Sequence, residues 1–188
     1  MISSILSVEK LREIMRHEVS ENSVFVKLDH DFYCEDGCLN NDKIINLSVD
    51  SYYNSLRMPS TPPSPDNLLV IRRGENKYSI YIIELKDVAR VSRLDHENIR
   101  CKYTTAVDDF MSDRFRECFI KDGSKVTDFN VWIVCNRFSF LGADLSDEEY
   151  EKKVLKGGVM EKLLLSKPYK FGGKISPITF QLSGTEVC

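Results

Sequence analysis

The sequence predicts an α/β fold, a mixed central β-sheet flanked by helices and built as a single domain over residues 1–188. Three observations predict it. Two runs suited to burial, at 66–73 and 77–87, are joined by the polar stretch Gly74-Glu75-Asn76 and read as a hairpin. A long amphipathic pattern free of Gly and Pro follows at 95–119. A further apolar run, "DFNVWIVCNRF" at 128–138, comes next. A hairpin, then a helical crossover, then another strand is the order that gives a sheet with both antiparallel and parallel neighbours.

The remaining elements fill in around this centre. In "SVEKLREIMRHEV", residues 7–19, Val8, Leu11, Met15 and Val19 recur at helical spacing, which predicts an opening amphipathic helix. "NSVFVKL" reads as a short strand. Residues 34–65 are polar and broken, ending in "MPSTPPSPD", and read as a long surface connection because the prolines forbid a helix there. Within 95–119, Ile99, Tyr103, Ala106, Phe110 and Phe115 fall mainly on one side. Ser146 with Glu149 three residues later forms a capping box that opens a helix through about Val154 and past Gly157 and Gly158. "KISPITFQLS" supplies a last strand.

Composition sets limits on function. A chain of 188 residues, 42% hydrophobic and 29% charged, can bury one sizeable core. Apolar runs such as 68–71 and 81–83 fall far short of the roughly 20 residues that cross a bilayer, and no basic-then-apolar leader opens the chain. The expectation is a soluble, cytoplasmic protein with no membrane partner. The six cysteines, Cys34, Cys38, Cys101, Cys118, Cys135 and Cys188, are then expected as reduced thiols. His30, Cys34 and Cys38 gather three metal-ligating types, but a structural zinc site uses four ligands in tighter pairs, so this segment reads as a loop with two free thiols. The charge is −3, from 26 basic and 29 acidic residues, whereas a chain that grips nucleic acid unaided is more often basic.

The chemistry sits at the open end of the hairpin. With Gly74, Glu75 and Asn76 as a three-residue turn, paired positions sum to 150, which sets Asp66 opposite Glu84. Period-two alternation puts Lys86 on the same face, one step further along. A two-residue turn would give an odd sum and send Asp66 to the other face. Two carboxylates this close repel, and near apolar surface they are costly unless a cation lies between them. Oxygen ligands suit Mg²⁺, which keeps several waters and can bridge to a phosphate, and a neighbouring lysine can stabilise negative charge or help deprotonate an attacking water. The plain alternative is an ion triad at the surface, of little energetic weight.

Pro65-Asp66 followed by Glu84-Leu85-Lys86 resembles the signature of the PD-(D/E)XK nuclease superfamily, which includes many type II restriction endonucleases, and the element order to about Phe138 is similar to that superfamily's αβββαβ core. The resemblance implies a restriction-type, Mg²⁺-dependent endonuclease, with Mn²⁺ as a substitute ion. It implies that Asp66 and Glu84 hold the metal, that the Leu85 carbonyl is an extra ligand, and that Lys86 lies near the attacking water. Many members add an acid from the first helix, for which Glu18 is preferred over Glu13. The exonuclease-like branch carries Gln-x3-Tyr on the following helix, and Asn98 with Tyr103 has the wrong spacing. The implied substrate is double-stranded DNA, held by a homodimer or with a larger DNA-recognising subunit. A second reading is the cap-snatching RNA endonuclease domain of a segmented RNA virus polymerase, in which His30, before Asp31, would be a Mn²⁺ ligand. A third is a non-catalytic interaction module that kept the fold, against which the intact Asp66, Glu84 and Lys86 argue.

Overall fold

A computed structural model describes residues 1–120, 123–139, 145–156 and 158–188. Five strands form the central sheet: β3 (Ile44–Leu47), β4 (Asn67–Gly74), β5 (Lys77–Lys86), β6 (Lys125–Cys135) and β9 (Ile178–Leu182), in the order β3-β4-β5-β6-β9. β3, β4 and β5 are mutually antiparallel neighbours, while β5, β6 and β9 run parallel. The class predicted from sequence is the class observed, an α/β fold with a mixed sheet flanked by helices.

Burial on both faces explains the composition of the central strands. Alternate residues such as Leu68, Val70, Ile80, Ile82, Val131 and Ile133 join the larger core cluster with the apolar residues of the helices, whereas Leu69, Ile71, Ile83, Leu85 and Val134 join a second cluster. That second face is covered by a small sheet of β1 (Val19–Glu21), β2 (Val24–Leu28) and β10 (Glu186–Val187). "NSVFVKL" therefore does form a strand, but in this covering layer.

The hairpin keeps the predicted register by another route. From Arg72↔Tyr78 to Asn67↔Ile83 the paired numbers sum to 150, yet at the tip Gly74 faces Lys77 across a two-residue turn of Glu75 and Asn76. A bulge between Arg72 and Gly74 absorbs the odd residue, and Asn76 takes a left-handed backbone at φ 54°.

Three other expectations change. The opening helix stops early, as α1 (Ile2–Ser7) and α2 (Glu9–Glu13). Beyond it Met15 bridges to Leu47, and the Arg16 amide donates to the Asn46 carbonyl, so sheet-edge pairing takes residues the helical spacing claimed. The connection at 34–65 contains β3 and α3 (Val49–Ser55), whose Val49, Tyr52 and Tyr53 pack into the larger core. The long helix is α4 (His96–Thr104), capped by the Asp95 side chain, then a π-helical stretch Thr105–Arg114, then α5 (Arg116–Phe119). The Ser146–Glu149 capping box opens α6 (Asp147–Leu155) as expected, but that helix does not run past Gly157 and Gly158: Lys156 is extended and ends it, and a separate helix, α7 (Gly158–Leu164), follows; Gly157 lies outside the described residues. A hairpin of β7 (Tyr169–Phe171) and β8 (Lys174–Ser176) precedes β9. Among the described residues no helix is long and apolar enough to cross a membrane, and all six cysteines are free thiols.

Candidate active site

Sheet pairing and one helix build the site. Asp66 stands just before β4, and its Oδ2 accepts a 2.7 Å hydrogen bond from the Leu85 amide on β5. A residue's N–H and C=O project from the same edge of an extended strand, so the Leu85 carbonyl shares the edge that meets Asp66. Glu84 and Lys86 project to the helix side of the sheet by alternation with Ile80 and Ile82. The sequence-predicted Asp66, Glu84, Leu85 and Lys86 are thus brought together.

Glu84 is the unusual member. Its side chain is 0% exposed, in a position where the residues two and four before it are isoleucines. Its Oε1 accepts from Lys86 Nζ and, at 2.6 Å, from Lys102 Nζ. Its Oε2 is buried and has no hydrogen-bond partner among the described residues. A carboxylate normally accepts several hydrogen bonds, so this oxygen is an unmet acceptor. Burial, with the Asp66 charge adding to it, pushes the Glu84 carboxyl up to about 7 against the pull of the two lysines. Burial works to lower the Lys86 ammonium, but the adjoining Glu84 more than reverses this and holds it above its ordinary value.

Lys102 was not legible as a site residue. It comes from α4 and is 16% exposed, with Nζ also 3.9 Å from Asp66 Oδ1. Its neighbours Ile99 and Tyr103 face the core, so it sits at the border of the helix's apolar face. Only the docking of α4 over the end of β5 reveals which way such a border residue reaches.

Glu18, expected on a helix, stands in the segment leading into β1. It lines a cleft of about 440 Å³ with Asp66, Glu21, Asp50, Arg16 and His17, and its backbone carbonyl accepts from the Asn46 amide group at 2.7 Å. Glu13 is exposed at the end of α2 and does not line that cleft. Glu21 has the closer electrostatic tie: partial burial and then the Asp66 charge raise its carboxyl. Its placement beside Asp66 depends on the docking of the β1–β2 hairpin against the central sheet, which no local pattern gives.

The other predicted ligands lie apart from Asp66 and Glu84. His30 is 92% exposed between Asp29, at 2.9 Å, and Asp31, at 3.2 Å, and lines a different cleft with Phe25, Tyr33 and Glu186. Among the described residues, the groups of three metal-ligating side chains are Asp29-His30-Asp31 and Asp29-Glu186-Cys188, and neither includes Cys34 or Cys38. Tyr103, at the wrong spacing for the exonuclease motif, is buried and donates to the Trp132 carbonyl at 2.8 Å.

The donor set suits a hard cation. Two carboxylates and a carbonyl edge offer only oxygen, and Glu84 Oε2 is a buried acceptor with no hydrogen-bond partner among the described residues. Comparison of the chain with protein-family models, with curated proteins and with solved structures finds no match.

Proposed function

We propose that the protein is a divalent-metal-dependent endonuclease that hydrolyses phosphodiester bonds in double-stranded DNA. The observation that carries this reading is the Glu84 carboxylate, fully buried beside Asp66 with one oxygen unpartnered. A structural ion pair gains nothing from a bare buried oxygen, whereas a site that takes up Mg²⁺ or Mn²⁺ needs one. The element order supports it too: β3, β4 and β5 form an antiparallel meander and α4 leads across to parallel β6, which is the arrangement the αβββαβ resemblance implies.

In this reading Asp66 and Glu84 hold the metal, with the Leu85 carbonyl as a further ligand. The bound ion polarises the scissile phosphate and makes water more acidic. The protein's own groups do the rest. The Leu85 amide fixes the Asp66 carboxylate through Oδ2 and leaves Oδ1 toward the site. Lys86 stays protonated beside Glu84, so it acts by attracting negative charge that develops on the phosphate and by orienting water. The cleft behind Asp66 gives the substrate backbone an approach from the Arg16 side. A homodimer or a DNA-recognising partner would supply the affinity that a net charge of −3 withholds.

The test is incubation of the purified protein with DNA and RNA substrates in Mg²⁺, Mn²⁺ or EDTA. Metal-dependent cleavage of DNA is expected, and Asp66→Ala, Glu84→Ala and Lys86→Ala are each expected to abolish it. Undiminished cleavage in EDTA, or full activity of Glu84→Ala, would refute the assignment. Cleavage confined to RNA would favour the cap-snatching reading.

A further inference from the structure

The space between the two acids already has a cation reaching into it. Lys102 Nζ lies 2.6 Å from Glu84 Oε1 and 3.9 Å from Asp66 Oδ1, so one ammonium addresses both carboxylates. Among the described residues, Lys86 forms an ion pair with Glu84 only. Two lysines therefore crowd one oxygen of Glu84 while the other oxygen has no partner. Pairing Glu84 would need only the first of them. The second also comes from a different element, the helix α4, and its side chain is 16% exposed and so retains a path toward solvent.

The charge count makes this arrangement consequential. Asp66, Glu84 and the nearby Glu21 as carboxylates stand against Lys86 and Lys102 as ammonium groups. A divalent cation added to that set would leave an excess positive charge, with an ammonium beside the ion, in a partly buried space, which is costly. The excess falls if an ammonium withdraws, and falls further if a phosphate arrives. A lysine suits such movement, since its charge sits at the end of a flexible four-carbon stem and hydrates strongly when released.

We propose that Lys102 is the resident counter-cation of this site: it occupies the place between Asp66 and Glu84 until a divalent ion enters, then withdraws its ammonium to a phosphate oxygen of the bound nucleic acid. This rests on the reading of Asp66 and Glu84 as metal ligands. Lys102 is a positioning residue, and its effect is to make metal uptake weak without substrate and stronger with it. A site ordered in this way has little tendency to load metal on the free protein.

The experiment is Mn²⁺ binding to the protein in the absence of nucleic acid, followed by the loss of the free-ion electron paramagnetic resonance signal. Lys102→Met removes the competing ammonium while keeping much of the stem, and it is expected to bind Mn²⁺ at least tenfold more tightly than the wild type, the scale on which displacing a charge-assisted hydrogen bond acts. Lys102→Gln serves as a second neutral variant, and Lys102→Arg, which keeps the charge, is expected to remain within about threefold of the wild type. Circular dichroism verifies that each is folded. Wild-type binding with unchanged or weaker affinity in both neutral variants would overturn the counter-cation role and leave the metal site standing. Absence of Mn²⁺ binding in every protein, wild type and variants alike, would overturn the metal reading itself, and this inference with it.

Discussion

Replacing Glu84 with glutamine tests whether the buried carboxyl is held against its preference for water. The substitution keeps size and shape and removes the ionisation. Burial and Asp66 raise the folded-state value to about 7 from an ordinary 4.5. A carboxyl whose value is raised on folding is neutral in both states at low pH and contributes nothing there. As pH climbs from about 4.5 toward 7 the unfolded chain gives up its proton first, and wild-type stability falls relative to the variant. At about 1.4 kcal/mol per pH unit, the loss reaches about 3 kcal/mol once the pH is above 7. For a domain of this size that corresponds to a difference in Tm of roughly 6–12 °C. The assay is urea or thermal unfolding of both proteins, metal-free in EDTA, from pH 4 to pH 8. Groups present in both, including the raised Glu21, cancel in the difference. The two stabilities are expected to converge near pH 4.5 and Glu84→Gln to be the more stable at pH 8. A flat difference, or one in which the wild type gains on the variant as pH rises, would refute the reasoning and mean that Lys86 and Lys102 offset or outweigh burial and the Asp66 charge.

Two further outcomes follow from the same structure. Under denaturing, non-reducing conditions all six thiols should react with a thiol reagent, whereas in the native protein the exposed Cys34, Cys38, Cys101 and Cys188 should react quickly and the buried Cys118 and Cys135 slowly; burial also pushes the Cys135 thiol up to about 12, which withholds its thiolate. Binding of the isolated chain to DNA at physiological salt should be weak and non-specific, in the roughly 10⁻⁴ to 10⁻⁶ M range, as a gel-shift titration across salt will show; nanomolar sequence-specific binding by a monomer would mean that the chain carries its own recognition surface.

The parts of the fold that could be read from sequence are those where a buried face leaves a period. Alternation in β4 and β5 is tied to two packed clusters, and so it fixed which face Asp66, Glu84 and Lys86 share. The capping box at Ser146 and Glu149 is a local hydrogen-bond pattern and needs no tertiary context. The failures are tertiary. Val8, Leu11, Met15 and Val19 keep helical spacing, yet Met15 is claimed by a bridge to distant Leu47 that local spacing does not encode, and Val19 by the β1–β2 hairpin. β3 had a signal, the run "IINL" between Lys43 and Ser48, and all four of its residues are buried, but the polar segments around it masked so short a strand. Lys102 and Glu21 reach the acids only because separate elements dock beside β4 and β5, so neither was readable in the hairpin that contains the motif.

The irregularity near the hairpin tip has a consequence for how this site tolerates change in chain length. The ladder that relates Asp66 to Glu84 runs unbroken from Arg72↔Tyr78 inward, and the out-of-step residue is confined to the stretch between Arg72 and Gly74. Loss of Arg73 would let Gly74 follow Arg72 directly, with Lys77 and Tyr78 still opposite, and the two acids would keep a common face. Loss of a single residue from within the ladder, Val70 for instance, would reverse every side chain between it and the motif and place the acids on opposite sides of the sheet. The far end of the hairpin thus acts as slack: lengths can vary there over evolution, or be varied by design, without disturbing the end where the charges meet.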